Sequence, residues 1–332
     1  MPEDFNEIIC IDHWRPDESA YENGYYPEGT RDKAVYFSPD DAGDSPLRPN
    51  WRYLFKQSRS WAPWQFWMEI IAYRIGQVMG VPVPPAYVGV SNKEHPGQAI
   101  YGALIEWFYP EDARYVEGAL FLNLLMPDFD YKTGKQHNLL MVLNPIPPMG
   151  NEDSEFRQGV LKHWAVVLTF DTVIGNVDRH PANWGFIFPH LEQLTDHSIG
   201  LEVGLSPAFD NGTALSWGEL ERNFAKFDDK TYLRRYLTHP KKARHHMRWS
   251  LENQEDINFF DFMRRFVREY PETKELIVSK LQFTEDDIRN RIEPLAAIPR
   301  ASESGLTENR IEFTLKMVME RTALLRDALK EP

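Results

Sequence analysis

An apolar run, Trp164 to Ile174, stops at Gly175-Asn176 and gives way to Val-Asp178-Arg-His-Pro-Ala-Asn183. Apolar residues resume at once in Trp184-Gly-Phe-Ile-Phe188. Gly and Asn tolerate the left-handed turn that closes a helix. The stretch therefore predicts a buried helix, a tight polar loop and a strand. Rigid elements on both sides would hold the loop's side chains in fixed places, which makes it a platform for a site.

Within that loop Asp178 is followed five residues later by Asn183. An Asp that accepts a proton from an attacking hydroxyl, with an Asn oxygen on Mg²⁺, has this spacing in phosphotransfer loops. Magnesium takes hard oxygen ligands, commonly one or two carboxylates plus phosphate oxygens and water. A second carboxylate is expected downstream, and Ser206-Pro-Ala-Phe-Asp210-Asn-Gly212 supplies Asp210 in a turn-prone setting. A plain turn with side-chain caps is the alternative for the loop alone; Asp210 in register argues against it.

Gly175 to Gly185, with Asp178, His180 and Asn183, and then Phe209-Asp210-Asn-Gly212 resemble the catalytic and metal-binding segments of the HipA-like serine/threonine kinases. These bacterial toxin kinases are related to the phosphatidylinositol 3/4-kinase superfamily. The resemblance implies an α+β, two-lobed protein-kinase-like fold: a β-rich N-lobe over 1–108 and a helical C-lobe over 109–332. It implies ATP and Mg²⁺, a protein substrate, autophosphorylation, and a helix-turn-helix antitoxin partner. It also implies a Gly-x-x-x-Lys phosphate loop, and Gly29-Thr30-Arg-Asp-Lys33 has that spacing. An ordinary hairpin turn would look the same at this level.

The remaining assignments follow from periodicity. Glu7 to Ile11 and Ala34 to Phe37 read as strands, and Asp40 to Asn50 as a proline-rich loop. Trp51 to Lys56 alternates, placing Trp51, Tyr53 and Phe55 on one face and Arg52, Leu54 and Lys56 on the other. Lys56 could reach phosphates from the strand's end, where the commoner fate is an exposed lysine. Trp64 to Met79 has helical apolar spacing, and Glu69 within it is placed to tether Lys56 as in kinases; a solvated glutamate is the rival. Ser58, Ser60 and Thr30 are candidate autophosphorylation sites. Val81 to Val90 reads as a proline-started edge strand. Ile100 to Phe108 reads as a strand ending in a hinge, so Glu106 and Phe108 would offer backbone groups to adenine.

Downstream, Tyr115 to Met126 reads as one helix, 127–154 as irregular, Glu155 to Ile174 as a long helix, and 190–200 as a hairpin connection. Beyond 216 the pattern reads as helical to the end, with stripes at Asp256 to Tyr270, Glu272 to Leu281, Glu285 to Ile292 and Glu308 to Leu329. Lys241 to Arg248 forms a basic cluster, read as a solvated segment or a docking patch. His180 would position the loop or simply pack, and Arg179 would pair with a carboxylate.

Composition narrows the setting. A net charge of −13 argues against a direct nucleic-acid binder. No apolar run is long enough to cross a membrane. A single cysteine and an acidic opening without signal-peptide order fit a reducing cytoplasm. Two other functions stay open: a nucleotide-binding pseudokinase or interaction module, and a small-molecule phosphotransferase of the aminoglycoside type.

Overall fold

A computed structural model describes residues 5–18, 31–43, 45–93, 99–131, 133–143, 155–188, 203–253, 255–298 and 304–330. The first layer is a six-stranded sheet of β1 (Ile8–Cys10), β2 (Arg15–Pro16), β3 (Lys33–Phe37), β4 (Arg52–Gln57), β5 (Ala86–Ser91) and β6 (Ile100–Glu106), in the order β1-β5-β6-β4-β3-β2. Only β1 and β5 run parallel; the other pairs are antiparallel. Alternation along β4 sends Tyr53 and Phe55 into a small aromatic core with Trp14, Tyr87 and Leu104. The Phe55 ring lies over Gly89 and Gly102, where an added Cβ would stand 3.0 and 2.8 Å from it. Those two glycines make room for the ring. Helix α1 (Trp67–Met79) covers the other face of the sheet, and Gly80 closes it in the left-handed conformation.

The second layer begins with a three-stranded antiparallel sheet: β7 (Arg114–Glu117), β8 (Gly185–Phe188) and β9 (Gly204–Leu205). Helices follow in chain order. They are α2 (Gly118–Leu125), α3 (Leu139–Leu143), α4 (Glu155–Ile174), α5 (Lys230–Leu237), α6 (Phe259–Glu269), α7 (Lys274–Ser279), α8 (Glu285–Ile292) and α9 (Glu308–Ala328). The central α4 buries Trp164, Leu168, Phe170 and Val173 against α6, α7 and α9. Among the described residues, no helix is long and apolar enough to cross a membrane.

Three sequence expectations are corrected. Tyr115 to Met126 is not one helix: Arg114–Glu117 is extended and pairs with β8, and the helix starts only at Gly118. An added Cβ at Gly118 would stand 2.2 Å from the Trp184 ring, which packs where the side chain would be. The proline-started strand is not an edge. Its prolines precede Ala86, and β5 is held on both sides by β1 and β6. Finally, 238–253 and 255–258 are turns, bends and irregular chain with an isolated bridge at Arg248, rather than helix. The basic cluster there is partly turned inward: Arg244 and Arg248 reach Asp256 at 3.4 and 2.7 Å, and His245 is buried. The expected hairpin connection at 190–200 lies outside the described residues.

Candidate functional site

Lys56 emerges from the end of β4 on the face opposite Tyr53 and Phe55. Its ammonium donates to Glu69 Oε1 at 3.0 Å and to Asp210 Oδ1 at 2.6 Å. Glu69, from α1, is buried and is used on both oxygens, since Oε2 accepts the Asn211 backbone N–H at 2.7 Å. One carboxylate thus ties the β4 lysine, α1 and the segment after β9 together. Arg31 joins the cluster, its Nη2 standing 2.8 Å from Glu69 Oε1 and 3.3 Å from Asp210 Oδ1. Lys33 is the direct cross-strand partner of Lys56. Like charges opposite one another on adjacent strands repel, so this register favours an anion between them. Burial alone would raise both carboxyls. Lys56 and Arg31 outweigh it and hold Glu69 and Asp210 below the usual carboxylate range.

The polar loop is built as an extension of α4. Gly175 has φ 67°, and Asn176 N–H bonds back to Asp171 C=O at 2.8 Å, closing the helix. Asp178 then anchors the loop through its backbone. Its N–H donates to Asn176 Oδ1 at 3.0 Å, and its C=O accepts from Asn183 Nδ2 at 2.7 Å. With the amide nitrogen committed, Asn183 Oδ1 is the atom left to act as a ligand. His180 Nδ1 accepts the Ala182 N–H at 3.2 Å, capping the short 3₁₀ turn Pro181–Asn183 that carries Asn183. Asp178's carboxyl is raised by burial and by the charge of Asp210, with His180 opposing. The two carboxylates therefore lie within each other's field. Asp210 itself adopts φ 55°, the left-handed region that Asp enters more readily than most residues. That turn keeps its carboxylate about a third exposed, at 31%, while its neighbour Asn211 is buried.

Against solved structures, the chain is similar to the Helicobacter pylori proinflammatory kinase CtkA, at 18% identity and TM-score 0.65, with 97% of this chain and 96% of that one covered. It is also similar to HipA of Shewanella oneidensis MR-1, solved with HipB and operator DNA, at 12% identity and TM-score 0.50, covering 96% and 73%. No protein-family model and no curated protein sequence matches it. The chain has a HipA-like kinase fold. At these identities the likeness concerns the two-lobed architecture, and the site rests on its own geometry.

At the sheet's exit, the backbone pairing of Glu106 with the start of β5 is one-sided. Glu106 N–H donates to Pro85 C=O at 2.8 Å, but proline has no N–H to return to the Glu106 carbonyl. The Glu106 side chain accepts from Tyr53 OH at 3.1 Å, and burial raises its carboxyl despite Tyr53 and Arg48. The Phe108 ring stacks on Phe209 at 4.9 Å, beside Asp210. Gly29 and Thr30 lie outside the described residues. Ser58 Oγ accepts the Phe66 N–H at 2.9 Å, and Ser60 is exposed.

The sequence reading missed three contributors. Arg31 occupies an unspecified position of the Gly-x-x-x-Lys spacing, which gives it no role. Asn211 looked like turn filler, yet it bonds Glu69 through its backbone. The third is a set of histidines behind the loop. His137 Nδ1 lies 3.2 Å from His246 Nδ1, and the His246 ring is 6.1 Å from that of His180. One Nδ1 must donate and the other accept, so the accepting ring must be neutral and the pair fails when both rings are protonated.

Burial holds His137 well below the ordinary value and His246 at about 4. The unfolded chain therefore takes up protons first, near pH 6.5. The pair's stabilisation is complete above that pH and is lost as pH falls towards the folded values. Each ring contributes a slope of at most about 1.4 kcal/mol per pH unit. Urea midpoints between pH 7 and pH 5 should fall less steeply for His246→Asn than for wild type. Equal slopes would show that the pair does not titrate on unfolding.

Proposed function

We propose that the chain is an ATP-dependent protein kinase transferring the γ-phosphate to a Ser or Thr hydroxyl. The observation that carries this reading is the joining of Lys56, Glu69 and Asp210 in one ion-paired cluster beside the loop that presents Asp178 and Asn183. Lys33, Arg31 and Lys56 supply positive charge for phosphates. Asp178 receives the hydroxyl proton, its basicity increased by burial. His180 keeps the Asn183 turn in place. The Glu106 carbonyl takes the adenine amino group.

The donor set fits Mg²⁺: Asp210 offers a part-exposed carboxylate and Asn183 an amide oxygen, with phosphate oxygens to complete the shell. Cations already stand on Asp210 as Lys56 and Arg31. Bound Mg²⁺ would offset charge on the transferring phosphoryl group. The pseudokinase alternative loses ground because Lys56, Glu69 and Asp210 are ion-paired and Asp178 lies within the field of Asp210. Nothing specific favours a small-molecule acceptor. HipA's solution with HipB and operator DNA supports, by fold analogy, an antitoxin partner for this chain.

The test is incubation of the purified chain with γ-labelled ATP, Mg²⁺ and a lysate or generic protein acceptor. Label should enter protein Ser or Thr, require the divalent ion, and disappear in Asp210→Asn. Mass spectrometry of the same reaction reads Ser58, Ser60 and Thr30 for autophosphorylation. Metal-independent transfer, or transfer that persists in Asp210→Asn, would refute the metal assignment. No transfer by the wild type would refute the kinase.

A further inference from the structure

Arg31 lies two residues before Lys33, and its guanidinium is only 6% exposed. Nη2 is shared between Glu69 and Asp210. Nη1 is buried and has no hydrogen-bond acceptor among the described residues. A buried, unpaired N–H on a charged group is costly, so this arrangement is not a fully satisfied one. The guanidinium also lies over Gly212, where an added Cβ would stand 2.4 Å from Nη2 and 2.5 Å from Nη1. The glycine is what lets Arg31 reach Asp210 at all.

Two imbalances therefore meet at one residue: a cation rests on the carboxylate best placed to bind metal, and a guanidinium N–H lacks an acceptor. One ligand removes both. A metal-bound polyphosphate brings a divalent ion for Asp210 and phosphate oxygens for the guanidinium fork, which matches phosphate geometry well.

We propose that Arg31 is a nucleotide-exchanged residue: it stands in for the divalent cation on Asp210 when no nucleotide is bound, and transfers to the phosphates when metal and triphosphate arrive together. It remains tethered to Glu69 as it does so. Arg31 thereby suppresses binding of metal alone and adds to binding of the metal–nucleotide pair. The proposal rests on the nucleotide-binding reading above.

Calorimetric titration separates the parts. Wild type and Arg31→Gln are each titrated with Mn²⁺ alone, and with Mn²⁺ plus a non-hydrolysable ATP analogue. The variant should bind Mn²⁺ alone about three- to ten-fold more tightly, because one cation has left Asp210. It should bind the Mn²⁺–analogue pair about ten- to a hundred-fold more weakly, the range of a charged hydrogen bond. Opposite signs are the signature, since a merely structural role would weaken both.

Unchanged binding of both, or weakening of both, overturns the role of Arg31 while leaving the kinase reading intact. A wild type that does not bind the Mn²⁺–analogue pair overturns both. A thermal melt of each variant accompanies the titrations. If Arg31→Gln loses its cooperative transition, Arg31→Lys carries the same comparison, keeping the charge but not the fork. It should bind the pair at least about three-fold more weakly than wild type, because a point charge replaces bidentate contact; equal binding would overturn the role.

Discussion

Asp178→Asn should lose phosphate transfer by about a hundred- to ten-thousand-fold, the usual worth of a positioned general base, while its unfolding curve stays that of the wild type. The separation follows from how residue 178 is held. Its backbone N–H and C=O make the bonds to Asn176 and Asn183, and the substitution keeps both. Its carboxylate has one described hydrogen-bond donor, the Thr213 hydroxyl at a long 3.5 Å. Removing its charge also removes repulsion from Asp210. Transfer rates with labelled ATP, read beside urea midpoints, check the claim. An Asp178→Asn protein with wild-type turnover would take the proton-accepting role away from Asp178.

Arg179→Ala should cost about 3–5 kcal/mol of stability, the penalty for leaving a buried charge without its partner. Asp171 is fully buried, and Arg179 grips it with Nε at 3.1 Å and Nη2 at 2.8 Å. The same guanidinium donates to Asn211 Oδ1 at 2.8 Å and to the carbonyls of Asn183 and Phe209. It thus fixes the end of α4, the polar loop and the Asp210 segment to one another. Phosphate transfer should fall with stability, since Asn183 and Asp210 both lose a support. Denaturant unfolding of Arg179→Ala, Asp171→Asn and the double variant measures the coupling. The double variant should recover part of the loss, because the uncompensated carboxylate is gone. A cost below about 1 kcal/mol for Arg179→Ala, the scale of an exposed pair, would show that this is not a buried anchor.

Much of this could be read from sequence because it is written in neighbouring residues. Alternation along Trp51 to Lys56 predicts which side Lys56 leaves from, and Tyr53 and Phe55 do occupy the opposite core. Gly175-Asn176 closes the helix before the loop where the sequence places the stop. The stripes of α6 and α9 follow from 3.6-residue spacing and from caps such as Asn258 and Thr307.

Other features depend on partners far along the chain. Arg114–Glu117 is a strand only because β8 pairs with it, some seventy residues later. The strand expected at an edge is interior because β1, near the start of the chain, runs parallel beside it. Arg31 becomes part of the site only where Gly212 leaves it room to reach Asp210, and His137 matters only against His246. The sequence by itself determined the local periods, the caps and the Asp178–Asn183 spacing, because each is an interaction within a few residues of backbone. Tertiary structure alone decided which charges face each other, because hydrogen-bond ladders and ion pairs between distant segments have no period to betray them.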